Sequence, residues 1–264
     1  MRNFDNFRGG IEKWMEKQCL KNADYITALT EFTMESFRRL SPPDKPASDF
    51  FTVPMGFALE DFINFPPPPP PDDKIFRIVY TGMFYDQHGP QYFFSGLKSA
   101  ATANDDFRKS TEIIIAGTMP ENYLTLLKEE PLKSMVKLLP YQDHDKTIEL
   151  MSKADVLYLT LTSGMTEIIP GKLFEYLAAR RPILATIPLK GITAQYLRRF
   201  EGNLMTESED VDGIKRALLE MFDRYKTGGL KVDYTLNDLN EFTWKTQAAK
   251  MAEILDKASK FSER

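Results

Sequence analysis

Between residues 75 and 224 the sequence alternates between two hydrophobic periodicities, and this alternation limits the fold more than any other feature. Short runs at 75–80, 112–116, 135–139, 155–160, 182–186 and 203–205 read as strands. Between them lie stretches with apolar residues three and four apart: 91–103, a stretch ending near Lys133, 145–153, 195–200 and 210–224. Strands separated by helices pair in parallel through right-handed crossovers. The pattern predicts an α/β fold: a doubly wound parallel sheet of about six strands from Phe50 to Arg224, with helices on both faces.

Inside this pattern, the stretch from Glu167 to Ala179 reads EIIPGKLFEYLAA. Seven residues separate Glu167 from Glu175. Pro170 suits a helix start, and Leu173, Phe174 and Leu177 recur at helical spacing. A loop and a helix, each carrying a glutamate, thus follow the run 155–160. In an open parallel sheet such a loop lies at the carboxyl ends of the strands, where ligands bind. Two glutamates eight positions apart are elsewhere simply solvated charges. Here the strand–loop–helix–strand context favours a site.

Glu-x7-Glu around Pro-Gly-Lys-Leu-Phe-Glu-Tyr-Leu-Ala resembles the donor-binding motif of retaining glycosyltransferases of the GT-B class, which pair two Rossmann-like domains. The resemblance implies that Glu167 touches hydroxyls of the donor sugar and acts at the catalytic centre. It also implies that Glu175 holds the nucleotide ribose, and that Pro170, Gly171 and Lys172 face the diphosphate. The chemistry is consistent, because a carboxylate offers four acceptor sites to paired hydroxyls.

The loop after the run 75–80 carries Gly82, which lets backbone approach a phosphate. Many members of the family place an Arg just after this glycine and a Lys a few residues on. This chain has Met83 and Phe84 at the first position and His88 at the second, so His88 is either a phosphate contact or an ordinary loop residue. Lys172 either supplies the missing charge or is a solvated lysine. Gly117 and Tyr141 end two further runs, in loops that border the nucleotide in the family; Tyr141 either stacks on the base or lies at the edge of the core. Asp143, His144 and Asp145 fit a polar loop and helix cap better than a metal site.

The first seventy residues extend the resemblance. A helix over 11–21, the run ADYITALT at 23–30 with Thr30 as a helix cap, a helix through Met34, Phe37 and Leu40, and a strand at 50–53 leading into Pro54-Met55-Gly56 and later Phe62 follow the family's hand-over between domains. Met55 and Ala58 stand where the family usually has Asn and Asp. Three segments are expected: 1–49, a remnant of the acceptor domain; 50–240, the nucleotide-sugar-binding domain; and 241–264, a helix packing back on the N-terminal part. The chain then resembles a C-terminal GT-B half from a truncated or split enzyme, and by itself is expected to bind nucleotide weakly and transfer no sugar. Pro66–Pro71 is either a stiff polyproline spacer or a docking site for a proline-binding partner.

Composition narrows the remaining classes. The net charge of −4 argues against a nucleic-acid partner. A single cysteine excludes an internal disulfide framework and fits a reducing compartment, and two histidines cannot build a histidine-rich metal site. No run reaches the roughly 18 apolar residues of a membrane span. The expectation is a cytoplasmic transferase, either free or peripheral at the inner membrane face, that uses a nucleoside-diphosphate sugar as donor and a glycan or lipid-linked acceptor, with no further cofactor and no metal. Two rivals remain: a nucleotide-sugar epimerase of the same fold, which two histidines serve poorly, and a non-catalytic nucleotide-sugar-binding or interaction module. No Walker loop, hydrolytic triad or Gly-x-Gly-x-x-Gly is present.

Overall fold

A computed structural model describes residues 7–66, 75–85 and 89–261. The chain divides into two units, Met1–Ala58 with Leu239–Arg264, and Leu59–Asp238. The proline run beyond Pro66 lies outside the described residues, as does His88.

In the first unit, α1 (Phe7–Asn22) leads to β1 (Ile26–Ala28), α2 (Glu31–Leu40) and β2 (Phe50–Thr52). Thr30 caps α2, its hydroxyl accepting from the Thr33 N–H at 3.1 Å. The two strands pair in parallel, Ile26 opposite Phe50. Leu20, Ile26, Ala28, Met34 and Phe50 bury a small core. The strand at Phe50 therefore belongs to a two-stranded sheet of its own, and not to the large sheet as its place in the alternation predicts. A strand joins whichever edge its neighbours offer, and sequence periodicity carries no record of that choice. The terminal helix Trp244–Phe261 belongs to this unit, where Lys257 lies over the Phe51 ring and the Trp244 N–H donates to the Phe57 carbonyl at 2.9 Å.

The second unit carries the alternating pattern. Its strands are β3 (Phe76–Thr81), β4 (Thr111–Ala116), β5 (Val136–Leu139), β6 (Val156–Thr160), β7 (Ile183–Thr186) and β8 (Leu204–Thr206). All pair in parallel, in the order β5-β4-β3-β6-β7-β8. Its helices are α3 (Gln91–Ala103), α4 (Asp105–Ser110), α5 (Glu121–Leu124), α6 (Leu132–Met135), α7 (His144–Ser152), α8 (Lys172–Ala178), α9 (Ile192–Leu197) and α10 (Val211–Lys226). This is a Rossmann-like, doubly wound parallel sheet of six strands, as the periodicity predicts.

Two helices depart from their periodicity. The stretch expected to run as one helix to Lys133 breaks into α5, a tight turn at Thr125–Lys128 and α6, because Pro131 cannot continue a helix. The helix expected at 195–200 begins three residues earlier at Ile192, since Gly191 ends the preceding turn and Thr193 is anchored by its hydroxyl to the Ile168 carbonyl at 2.6 Å. The core is built from both faces of β3, where Phe76, Ile78, Val79 and Tyr80 are buried, and from α3 and α10. Gly96 of α3 lets Ile214 of α10 approach its backbone, and Asp210 caps α10 by accepting from the Gly213 N–H at 2.9 Å.

Strand order decides where a ligand can sit. The chain lays down β4 and β5 on one side of β3, then returns to lay β6, β7 and β8 on the other. Crossovers leave in opposite directions at β3 and β6, which opens a crevice beyond their carboxyl ends.

Candidate functional site

A cavity of about 320 Å³ lies beyond the carboxyl ends of β3 and β4. Thr81, Gly82 and Met83 line it from the loop after β3, and Ala116 and Gly117 from the end of β4. Tyr141, Gln142, His144 and Thr147 come from the loop after β5 and from α7, and Lys172 and Glu175 from α8. A larger cavity of about 410 Å³, near Arg181 and Pro182, lies at the amino end of β7. Ligand chemistry in a parallel sheet belongs at the carboxyl ends, so the smaller cavity is the candidate site.

The floor is built from glycine. Gly82 and Gly117 have φ of +130° and +147°, which side chains rarely tolerate. The Gly82 N–H donates to the Ala116 carbonyl at 2.8 Å, and the Gly117 N–H to the Leu139 carbonyl at 3.1 Å. A methyl group on Gly117 would run into the Gly82 carbonyl, so the two loops approach closely only because both positions are bare. Met83 and Phe84, where the family commonly places its arginine, form no charged contact. Phe84 is buried and stacks on Tyr80 at 4.3 Å, and the Tyr80 hydroxyl donates to the Met83 carbonyl at 3.1 Å.

Charge reaches the floor from α8. The Lys172 Nζ donates to the Thr81 carbonyl at 2.8 Å and lies 4.2 Å above the Tyr80 ring. It is a packed lysine, not a solvated one, and burial brings its pKa down to about 8 against the opposing pull of Glu175. A methyl group on Gly82 would come within 2.6 Å of this ammonium. On the same helix the Tyr176 hydroxyl accepts from the Thr81 N–H at 3.0 Å. Lys172 and Tyr176 thus latch α8 to the last residue of β3.

Glu175 sits in the first turn of α8, not in a second turn, because the helix starts at Lys172 rather than at Pro170. Pro170 and Gly171 lead into the helix and are not among the residues lining the cavity. The Glu175 carboxylate is half-buried on the cavity wall. Burial raises its pKa, and nearby Asp61 pushes the same way; His144 and Lys172 oppose them. Tyr141 is 76% exposed at the cavity rim, away from the core.

Glu167 lies in an exposed turn outside the cavity lining. Its loop is held in place on either side: before it the Ile192 N–H donates to the Thr166 carbonyl at 2.8 Å and the Ser163 hydroxyl to Glu209 at 2.7 Å, and after it the Thr193 hydroxyl donates to the Ile168 carbonyl. The structure therefore gathers Gly82, Gly117, Tyr141, Lys172 and Glu175 on one cavity and leaves Glu167 outside its lining, in the exposed turn after β6. Sequence reading missed Asp61, whose Oδ2 lies 2.7 Å from the His144 Nε2 across 83 positions of chain. No local signal links the two. Among the described residues no group of three or more His, Cys, Asp or Glu side chains is gathered as a metal site requires, and no helix is long and apolar enough to cross a membrane.

Comparison with known proteins agrees with the fold. Residues 75–224 match the family model described as "Glycosyl transferases group 1". No curated protein matches the chain. Among solved structures, the chain is similar to the lipopolysaccharide outer core galactosyltransferase WaaB in its apo form, with a TM-score of 0.63 and 16% identity over 89% of this chain and 62% of that one. It is similar to WaaG, a glycosyltransferase involved in lipopolysaccharide biosynthesis, with a TM-score of 0.62 and 15% identity over 85% of this chain and 64% of that one. Sucrose-phosphate synthase from Thermosynechococcus elongatus gives a TM-score of 0.64 and 17% identity over 97% of this chain and 63% of that one. The chain thus spans less than two thirds of each of these proteins.

Proposed function

The chain belongs to the group 1 glycosyl transferases, and on that premise we propose that it binds a nucleoside-diphosphate sugar and serves transfer of the sugar to an acceptor hydroxyl with retained anomeric configuration. One observation carries the reading. A single turn of α8 delivers a packed cation, Lys172, and a half-buried carboxylate, Glu175, to a bare-glycine floor at the topological switch point. The glycines let backbone approach phosphate, and Lys172 offers the diphosphate its positive charge. Glu175 offers two adjacent hydroxyls an acceptor pair of the kind a ribose needs. Tyr141 at the rim offers a face for stacking on the base.

Glu167, one loop away, is assigned to the hydroxyls of the donor sugar. The work asked of the protein is positioning, together with stabilisation of the charge that builds on the leaving diphosphate. Calorimetric titration of the chain with a panel of nucleoside diphosphates, followed by the matching nucleotide sugars, tests this. Saturable binding of at least one diphosphate that is lost in a Lys172→Met variant is expected. Equal binding by the two proteins would remove the diphosphate from this cavity.

A further inference from the structure

His144 lines the cavity but takes no part in the reading above. It is the first residue of α7, and Asp143 fixes that helix start by accepting from the Lys146 N–H at 3.0 Å. The His144 Nε2 lies 2.7 Å from Oδ2 of Asp61, in the helical turn Leu59–Asp61. Facing a carboxylate, Nε2 carries a proton whether the ring is neutral or charged. Among the described residues Nδ1 has no hydrogen-bond partner. That nitrogen is a lone-pair acceptor on the neutral ring and an N–H donor on the imidazolium. A nucleotide presents mostly acceptor oxygens, on its phosphates and in part on its ribose. The neutral ring has little to offer them; the charged ring offers a charge-assisted hydrogen bond.

We propose that His144 is a proton-dependent contact of the donor cavity: held through Nε2 by Asp61, it donates from Nδ1 to an oxygen of the bound nucleotide, and affinity falls when the imidazole loses its proton. The proposal rests on the nucleotide reading of this cavity. Three carboxylates face the ring: Asp61 from the turn before the sheet, Glu175 from α8, and Asp145 on its own helix. The hydrogen bond to Asp61 is the main cause holding the His144 pKa above its ordinary value, and partial burial opposes it. The contact is therefore complete below the ordinary histidine range and lost as pH rises through the raised value. Lys172 faces Glu175 and deprotonates near pH 8, so a separate loss at higher pH belongs to it.

The test is calorimetric affinity for uridine and guanosine diphosphates between about pH 5.5 and 8.5, on wild type, His144→Gln and Asp61→Asn. Comparing proteins on the same ligand cancels the titration of the ligand's own phosphate. Wild type should lose about three- to tenfold in affinity through the histidine limb, the size expected for a solvent-exposed charged contact. His144→Gln should lack that limb and bind more weakly at low pH. Asp61→Asn should keep the limb with its midpoint moved to lower pH, a shift that a purely structural histidine would not produce. A limb that persists in His144→Gln, or a midpoint unmoved in Asp61→Asn, overturns the proposal while leaving the nucleotide reading intact. Failure of all three proteins to bind these two diphosphates or any other nucleoside diphosphate of the panel at any pH overturns both.

Discussion

Replacing Glu175 with Gln should weaken nucleotide binding without weakening the fold. The carboxylate is half-buried, with a pKa raised by burial and by Asp61. A carboxylate whose folded-state pKa is raised takes up protons on folding, so its charge opposes folding at pH values above that pKa, and the penalty fades as pH falls through it. Gln keeps the size and removes the charge. In neutral buffer without ligand, the variant should melt at the wild-type temperature or above it. Ribose recognition should suffer, because losing charge-assisted hydrogen bonds costs about 1.5–3 kcal/mol, or roughly ten- to a hundredfold in affinity. Thermal shift converts this into a second readout. At a ligand concentration 100-fold above the wild-type Kd, wild type gains about 2.7 kcal/mol, whereas the variant should gain only about 0.4–1.4 kcal/mol. A shift of about 2–4 °C per kcal/mol makes the difference measurable. Affinity within twofold of wild type would remove Glu175 from the ribose, and a clear drop in the ligand-free Tm would make it a structural residue.

Glu167→Gln should leave the affinity for free nucleoside diphosphate unchanged and weaken only the intact nucleotide sugar, by about tenfold; equal losses for both ligands would show that the two glutamates are misassigned. Lys172→Met should lower diphosphate affinity by at least about tenfold, the range of a hydrogen bond to a charged group. Because the folded pKa of Lys172 is near 8, below its ordinary 10.5, the unfolded chain holds more protons between these values. Its contribution therefore makes wild-type stability rise with pH across that window, and urea titrations of Lys172→Met should show the rise removed. Gly117→Ala should cost about 2 kcal/mol or more, since φ of +147° is hostile to a side chain and the new methyl would meet the Gly82 carbonyl; a melting temperature within a degree of wild type would show that the two loops can part.

The sequence by itself determined the elements and their direction. Helix α3 starts and ends where the periodicity of 91–103 places it, and Thr30 caps α2 as its position before the helical pattern implies. Six strands alternating with helices could close only as a parallel sheet, and that sheet's switch point drew Gly82, Gly117, Tyr141, Lys172 and Glu175 to one cavity. These features are local: side-chain period, caps and glycines act within a few residues of themselves.

Tertiary structure decided the rest. It gave the strand at Phe50 to a separate two-stranded sheet, began α8 at Lys172, and left Glu167 on an exposed turn. It also laid Lys172 over Tyr80 and paired His144 with Asp61 across 83 residues. Each of these outcomes depends on which surfaces the folded sheet brings within a few ångströms of one another. A hydrophobic period states which face of an element turns inward, but not which distant element will be waiting there.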